Sequence, residues 1–168
     1  IGRVLLNAFN AWEYGWECNR EDLKANSAKI FDSYLKNGFT EAGFLKESVN
    51  YDKNFEDPVH SIRRQSEGLY AIFHFLAYEK EKGRKHPEWE QRLKNMLNMF
   101  LQLQNADGSF PRKFRDDFSI VDKSGGSTPS ATLPLVMGYK YFKDKRYLDS
   151  AKRTADYLEK ELISKAIA

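Results

Sequence analysis

The chain has 168 residues, of which 41% are hydrophobic, 30% charged and 14% aromatic, and its 27 Lys and Arg against 24 Asp and Glu give a net charge of +3. That length suits one domain with a substantial core, and the aromatic content argues against disorder. The mild charge gives no pointer to nucleic acid or a membrane surface, the single Cys18 excludes an internal disulfide framework, and no apolar run reaches the ~20 residues of a membrane-spanning helix.

The chain begins on Ile1 rather than Met, which suggests an N-terminus that is processed, engineered or cut from something longer. Compartment is therefore open, a soluble periplasmic or secreted protein being one reading. Residues 5–14 are apolar on most sides, the pattern of a buried helix. After a short turn, residues 19–37 carry the stripe Leu23, Ser27, Ile30, Phe31, Tyr34, whose spacing predicts an amphipathic helix. A long connection follows over 38–65. The alternation then repeats: a buried helix over 69–78, a short turn, and an amphipathic helix over 87–104 with the stripe Trp89, Leu93, Met96, Leu97, Phe100. A second long connection covers 105–128. The last inner helix, over 133–142, begins close to Thr132, because Pro134 is tolerated in a first turn. It leads to an amphipathic helix over 144–163 with Tyr147, Ala151, Thr154, Ala155, Leu158 and Leu162 on one face.

The expected fold is all-α: repeated antiparallel helical hairpins over roughly 2–37, 66–104 and 130–164 of a single domain, about six main helices in all. Turns within hairpins are short, whereas connections between them are long and without obvious secondary structure. Both long connections emerge where the inner helices begin, so the elaboration lies on one rim.

Inner apolar helix, outer amphipathic helix and long rim loops resemble the (α/α) toroids, the superfamily of six-hairpin glycosidases, unsaturated-uronyl hydrolases, many polysaccharide lyases and terpene cyclases. The stretch LQLQNADGSF over 101–110 resembles the Q-x-x-D-G-S-[FW] turn of such barrels, and 125–158 resembles their small-residue entry, inner helix, turn and outer helix. A closed ring needs more hairpins than the three read here. The resemblance therefore implies part of a toroid, completed by further hairpins of a longer chain or by a second copy. It also implies a carbohydrate-active enzyme, glycoside hydrolase-like or lyase-like, acting on an oligo- or polysaccharide, uronate-containing ones included. Two alternatives stay open. One is a non-catalytic helical-repeat binding module. The other is a terpene cyclase-like toroid, against which Gln104 is displaced, Phe110 replaces Trp and the acidic DxDD or DDxxD motifs are missing.

The rim supplies the candidate chemistry. Glycoside hydrolysis needs two carboxyl groups on opposite sides of a sugar, and Glu67, Asp107, Asp116 and Asp117 are the catalytic candidates. Arg63, Arg64 and Arg112, with the aromatic faces of Phe110 and Phe114, are the substrate-binding candidates. Phe39, Phe44, Tyr51, Phe55 and Phe118 add to the loop aromatics, which either stack on sugar or pin the loops to the helix ends. Asp107 equally suits an Asp-Gly turn, and Glu67 an ion pair in a first helical turn. Arg63 and Arg64, and the hydroxyls over 124–128, precede inner helices, where anions bind and where ordinary caps also lie. No metal or cofactor is expected: His74 has no ligand-spaced partner, His86 reads as a turn residue, and no nucleophile elbow surrounds Ser127.

Overall fold

A computed structural model describes residues 2–50 and 52–166. The first hairpin is α1 (Gly2–Glu17) with α2 (Glu21–Asn37), the second α3 (Ile62–Glu81) with α4 (Pro87–Leu103), and the third α5 (Pro129–Phe142) with α6 (Lys145–Tyr157), which passes into a π-helical turn at Leu158–Ile163. The short strands β1 (Val49–Asn50), β2 (Phe55–Glu56), β3 (His60–Ser61), β4 (Lys113–Phe114) and β5 (Ile120–Asp122) all lie in the two long connections.

The helices form two layers. α1, α3 and α5 pack side by side as an inner layer, and α2, α4 and α6 pair with them from outside. α4 shows why the sequence pattern works: Trp89, Leu93, Met96, Leu97 and Phe100 are all buried, as their shared helical face requires. α3 is buried almost all round, with Leu69, Ala71, Ile72, Phe73, Phe75 and Leu76 in the core. Aromatic stacking ties the layers together, for example Phe31 of α2 against Phe75 of α3, ring centres 4.1 Å apart. The third outer stripe fades earlier than its periodicity predicts. Tyr147, Ala151 and Thr154 are buried, but Ala155, still within α6, is exposed, and Leu162 is 37% exposed, because the π turn at 158–163 rotates its side chain off the 3.6-residue stripe.

The long connections are not structureless as the sequence suggests. β1 and β2 form a hairpin, and β3, β4 and β5 form an antiparallel sheet with His60 opposite Phe114 and Ser61 opposite Lys113. β3 belongs to the first connection and β4–β5 to the second, so backbone hydrogen bonds stitch the two loops together. These strands are too short for a period-two pattern to register, which is why periodicity misses them. α3 likewise begins at Ile62, ahead of its apolar run, because β3 leads directly into it.

Two features yield measurable consequences. Gly108 has φ +90°, and a Cβ there would overlap the Arg153 carbonyl of α6. Gly108→Ala should therefore destabilise the protein by about 2 kcal/mol or more, read as a lowered unfolding midpoint in denaturant. At the other end of α3, the buried Glu79 carboxylate accepts from Arg84 Nε at 2.7 Å and faces His86 Nε2 at 2.9 Å. The Arg84 fork, and secondarily His86, hold its carboxyl below the usual carboxylate range. A lowered folded-state pKa stabilises above the unfolded value and ceases to do so as pH falls through the folded one. Glu79→Gln should cost about 1–2 kcal/mol at neutral pH, discounted because Arg84 is half exposed, and thermal unfolding at successively lower pH should bring variant and parent together.

Candidate functional site

On α3, a polar and aromatic strip interrupts the burial. Glu67, Tyr70, His74 and Ala77 follow one another at helical spacing and therefore share a face. Opposite them α5 presents Ser130, Leu133, Met137 and Tyr141 at similar spacing. Between the strips lies a cleft of about 520 Å³, walled by Glu67, Tyr70, Ser130 and Leu133 among others. It shares Tyr70 and Leu133 with a more apolar cleft of about 500 Å³ that includes His74, Met137 and Tyr141. Through His74 and Ala77 this one adjoins an aromatic cleft of about 340 Å³ bounded by Trp12, Trp16 and Tyr78. In the other direction, toward the rim, Arg63 and Ser127 are shared with a cationic cleft of about 540 Å³. A groove thus follows the exposed face of the inner layer from a basic rim to an aromatic floor.

The charges in this groove are held by defined partners. Glu67 Oε1 accepts from Arg63 Nε at 3.0 Å, while Arg3 Nε lies 3.6 Å from Oε2, and the Glu67 side chain is only 20% exposed. His74 sits between the rings of Phe9 and Tyr70, at 5.1 and 4.4 Å. Its burial lowers the imidazole pKa, so the ring is neutral at neutral pH. The Tyr141 hydroxyl donates to Glu90 at 2.6 Å, and burial pushes its pKa up. Tyr141 thus remains protonated and fixed in orientation at the groove wall.

Of the residues singled out in the sequence, Glu67, Arg63, Arg64 and Arg112 line these clefts. The other three acids are engaged elsewhere, in turns and loop contacts. Asp107 Oδ1 accepts from both the backbone N–H of Ser109, at 2.9 Å, and its hydroxyl, at 2.7 Å. The Ser109 hydroxyl and amide hold this carboxyl below its ordinary pKa, and the turn packs on outer helix α6 through Gly108. Asp116 accepts from Thr40 Oγ1 at 3.0 Å and pairs with buried His60 Nε2 at 2.7 Å. Asp117 accepts from the Ser119 N–H at 2.9 Å in the bend before β5, and the Ser119 hydroxyl and amide lower its pKa.

The aromatic candidates need a correction. Phe110 and Phe114 are both 0% exposed, so neither presents a face to a ligand. Phe110 packs on Phe100, and Phe114 packs with Phe44 and His60. Of the two readings left open for the loop rings, pinning the loops to the helix ends holds for these and for Phe44. Phe55 is 52% exposed, and Tyr51 lies outside the described residues. The aromatics that do line the groove, among them Tyr70, Tyr141, Trp12, Trp16 and Tyr78, sit on inner helices instead. A signal for them was present: polar and amphipathic residues recurring at helical spacing within segments otherwise apolar all round.

No family model matches the sequence. The fold is similar to solved structures of sugar-converting enzymes. A cellobiose 2-epimerase from Bacillus thermoamylovorans superposes with a TM-score of 0.76 at 18% identity over 90% of this chain and 39% of that one. A sugar epimerase from a ruminal bacterium gives 0.73 at 16% identity, over 95% and 41%, and a D-mannose isomerase gives 0.63 at 18%, over 94% and 43%. The chain therefore has the architecture of part of an (α/α) toroid, spanning about two fifths of the length of these proteins. Among the described residues, no group of three or more His, Cys, Asp or Glu is placed to hold a metal ion, and no helix is long and apolar enough to cross a membrane.

The His60–Asp116 contact joins the two rim loops beside the β3–β4 pairing. Asp116→Ala leaves His60 Nε2 buried without its partner, and should lower stability by about 1 kcal/mol. Amide exchange should accelerate across β3–β5.

Proposed function

We propose that this chain forms part of a carbohydrate-active toroid enzyme whose sugar substrate lies in the groove between α3 and α5. The observation that carries this reading is Glu67. It is a carboxylate oriented by Arg63 and Arg3 on the wall of a cleft, one helical turn from the ring of Tyr70. Aromatic rings take the apolar faces of sugars, and an oriented carboxylate can remove or return a proton beside them.

Two kinds of sugar chemistry would use such a group. Hydrolysis needs a second carboxyl group across the sugar. The remaining acid candidates, Asp107, Asp116 and Asp117, are occupied in turns and loop contacts. Epimerisation or isomerisation asks for less from this part of the ring: a base removes the proton beside the sugar carbonyl, and the proton returns to the other face or to the neighbouring carbon. Glu67 suits that base. Neutral His74, which is on the same helix face, suits a group that receives a proton. The similar structures, two epimerases and an isomerase, favour this second chemistry. Fold likeness on its own is a poor guide to reaction, so the choice rests on the site.

The test is to incubate the protein with reducing mono- and disaccharides in deuterated water and follow products by NMR. Deuterium entering the sugar beside its carbonyl reports proton exchange, and release of monosaccharide reports hydrolysis. Glu67→Gln should reduce the exchange by about 10²-fold or more while sugar binding persists. Binding without either reaction in the parent protein would make this a binding module and overturn the enzymatic reading.

A further inference from the structure

The groove changes character along its length. The cleft beside Glu67 is polar, with Arg63, Ser66, Ser127 and Ser130 on its walls. The adjoining cleft of about 500 Å³ is walled chiefly by Phe73, Ala77, Leu133 and Met137 and by the rings of Tyr70 and Tyr141. Beyond the tyrosine hydroxyls, its polar side chains are His74 and Lys140 alone among the described residues. The Tyr141 hydroxyl has already given its hydrogen to Glu90.

A sugar ring is a poor occupant of such a space. Each hydroxyl buried there gives up water and needs a hydrogen-bond partner in return, and so few groups cannot serve a whole pyranose. A flat apolar ring suits it better. Tyr141 is held by Phe73 and Phe142, ring centres 5.9 and 4.9 Å away, and by the bond to Glu90 at 2.6 Å. Tyr70 lies against His74, ring centres 4.4 Å apart. Both rings are therefore set before a ligand arrives. With the Met137 thioether they offer the ring and sulfur contacts that favour an aromatic group over an aliphatic one. A benzene ring fills a cavity of roughly 150 Å³, so a phenyl group and its linker have room.

The two clefts are continuous, since Tyr70 and Leu133 line both. Glu67, Tyr70 and His74 follow one another along about 10 Å of the α3 axis. One molecule of modest size can thus place a polar part at Glu67 and an apolar part against α5.

We infer that the sugar taken by this groove carries an aromatic substituent, with the sugar at Glu67 and the aromatic ring among Tyr70, Met137 and Tyr141. This rests on the sugar-binding reading above and adds what the sugar bears. Proton removal by Glu67 needs a sugar that opens to its carbonyl form. The aromatic group is therefore an ether or ester on a hydroxyl remote from the anomeric carbon, not an aryl glycoside. Burying it fixes which end of the sugar faces the carboxylate.

The test titrates three ethers of D-glucose calorimetrically into the protein: 6-O-methyl, 6-O-benzyl and 6-O-cyclohexylmethyl. The benzyl ether should bind about tenfold or more tightly than the methyl ether, with the cyclohexylmethyl ether between them. Met137→Gln and, separately, Leu133→Gln should each reduce the benzyl margin several-fold. Leu133 is 49% exposed, so its replacement serves if Met137→Gln perturbs folding. Equal binding of the benzyl and methyl ethers would overturn the aromatic inference and leave the sugar-binding reading standing. A cyclohexylmethyl ether that matches the benzyl ether would also overturn it, by making the cleft a general apolar one. So would a margin unchanged in both variants, which would seat the ring elsewhere. Sedimentation showing a dimer that these variants dissociate would overturn it too, because a second copy then covers the cleft. No binding of the ethers, of D-glucose or of neutral oligosaccharides would instead defeat the sugar-binding reading itself.

Discussion

Glu47 is the anchor on which the rim depends. Its carboxylate is buried, and it accepts from the Ser61 N–H at 2.7 Å, from Gln65 Nε2 at 3.1 Å and from Arg64 at 3.1 Å. Burying a charge in this way is tolerable only because several donors converge on it. Gln65 completes the clamp by acting as a peptide would, donating to the Leu45 carbonyl at 2.7 Å and accepting from the Leu45 N–H at 2.9 Å. The first long connection is thereby fixed to the start of α3. With the loop held, β3 is in position to pair with β4, and the two connections become one structure.

Everything placed at the basic rim follows from that constraint. Arg64 faces the cationic cleft because Glu47 holds one edge of its fork, and Arg112 reaches the same cleft because β3–β4 pairing brings the second connection alongside α3. The inner helices supply the rest of the groove by their packing. α3 lies between α1 and α5, so most of its middle is buried while the Glu67–Tyr70–His74–Ala77 strip stays open. Gly138 allows α5 to close on the outer layer, since a Cβ there would press on Leu97 of α4. The groove is thus what remains uncovered when three inner helices pack side by side.

How far the sequence revealed this depends on the physics of each feature. The outer helices were legible because a 3.6-residue stripe such as that from Trp89 to Phe100 is a local consequence of burying one face. The turn at Asp107–Gly108 was legible for a similarly local reason, the positive φ that Gly accommodates. Phe110 and Phe114 were misleading: a hydrophobic ring in a loop reads the same whether it caps a core or faces a ligand, and only packing against Phe100, Phe44 and His60 distinguishes them. Arg63, Arg64 and Glu67 stood out as charges before and within the first turn of an inner helix, but their separation from Asp107 and Asp116 depends on where the loops fold back.

The sequence by itself therefore determined the alternation of inner and outer helices and the position of the long connections on one rim. Those properties are written in short-range periodicity, which each segment carries whatever its neighbours do. Tertiary structure alone decided which rim charges share a cleft, which aromatics are core, and that the two loops form a sheet. Such outcomes depend on contacts between residues far apart in the chain, such as Glu47 with Arg64 and Ser61 with Lys113, and no local pattern encodes the partner.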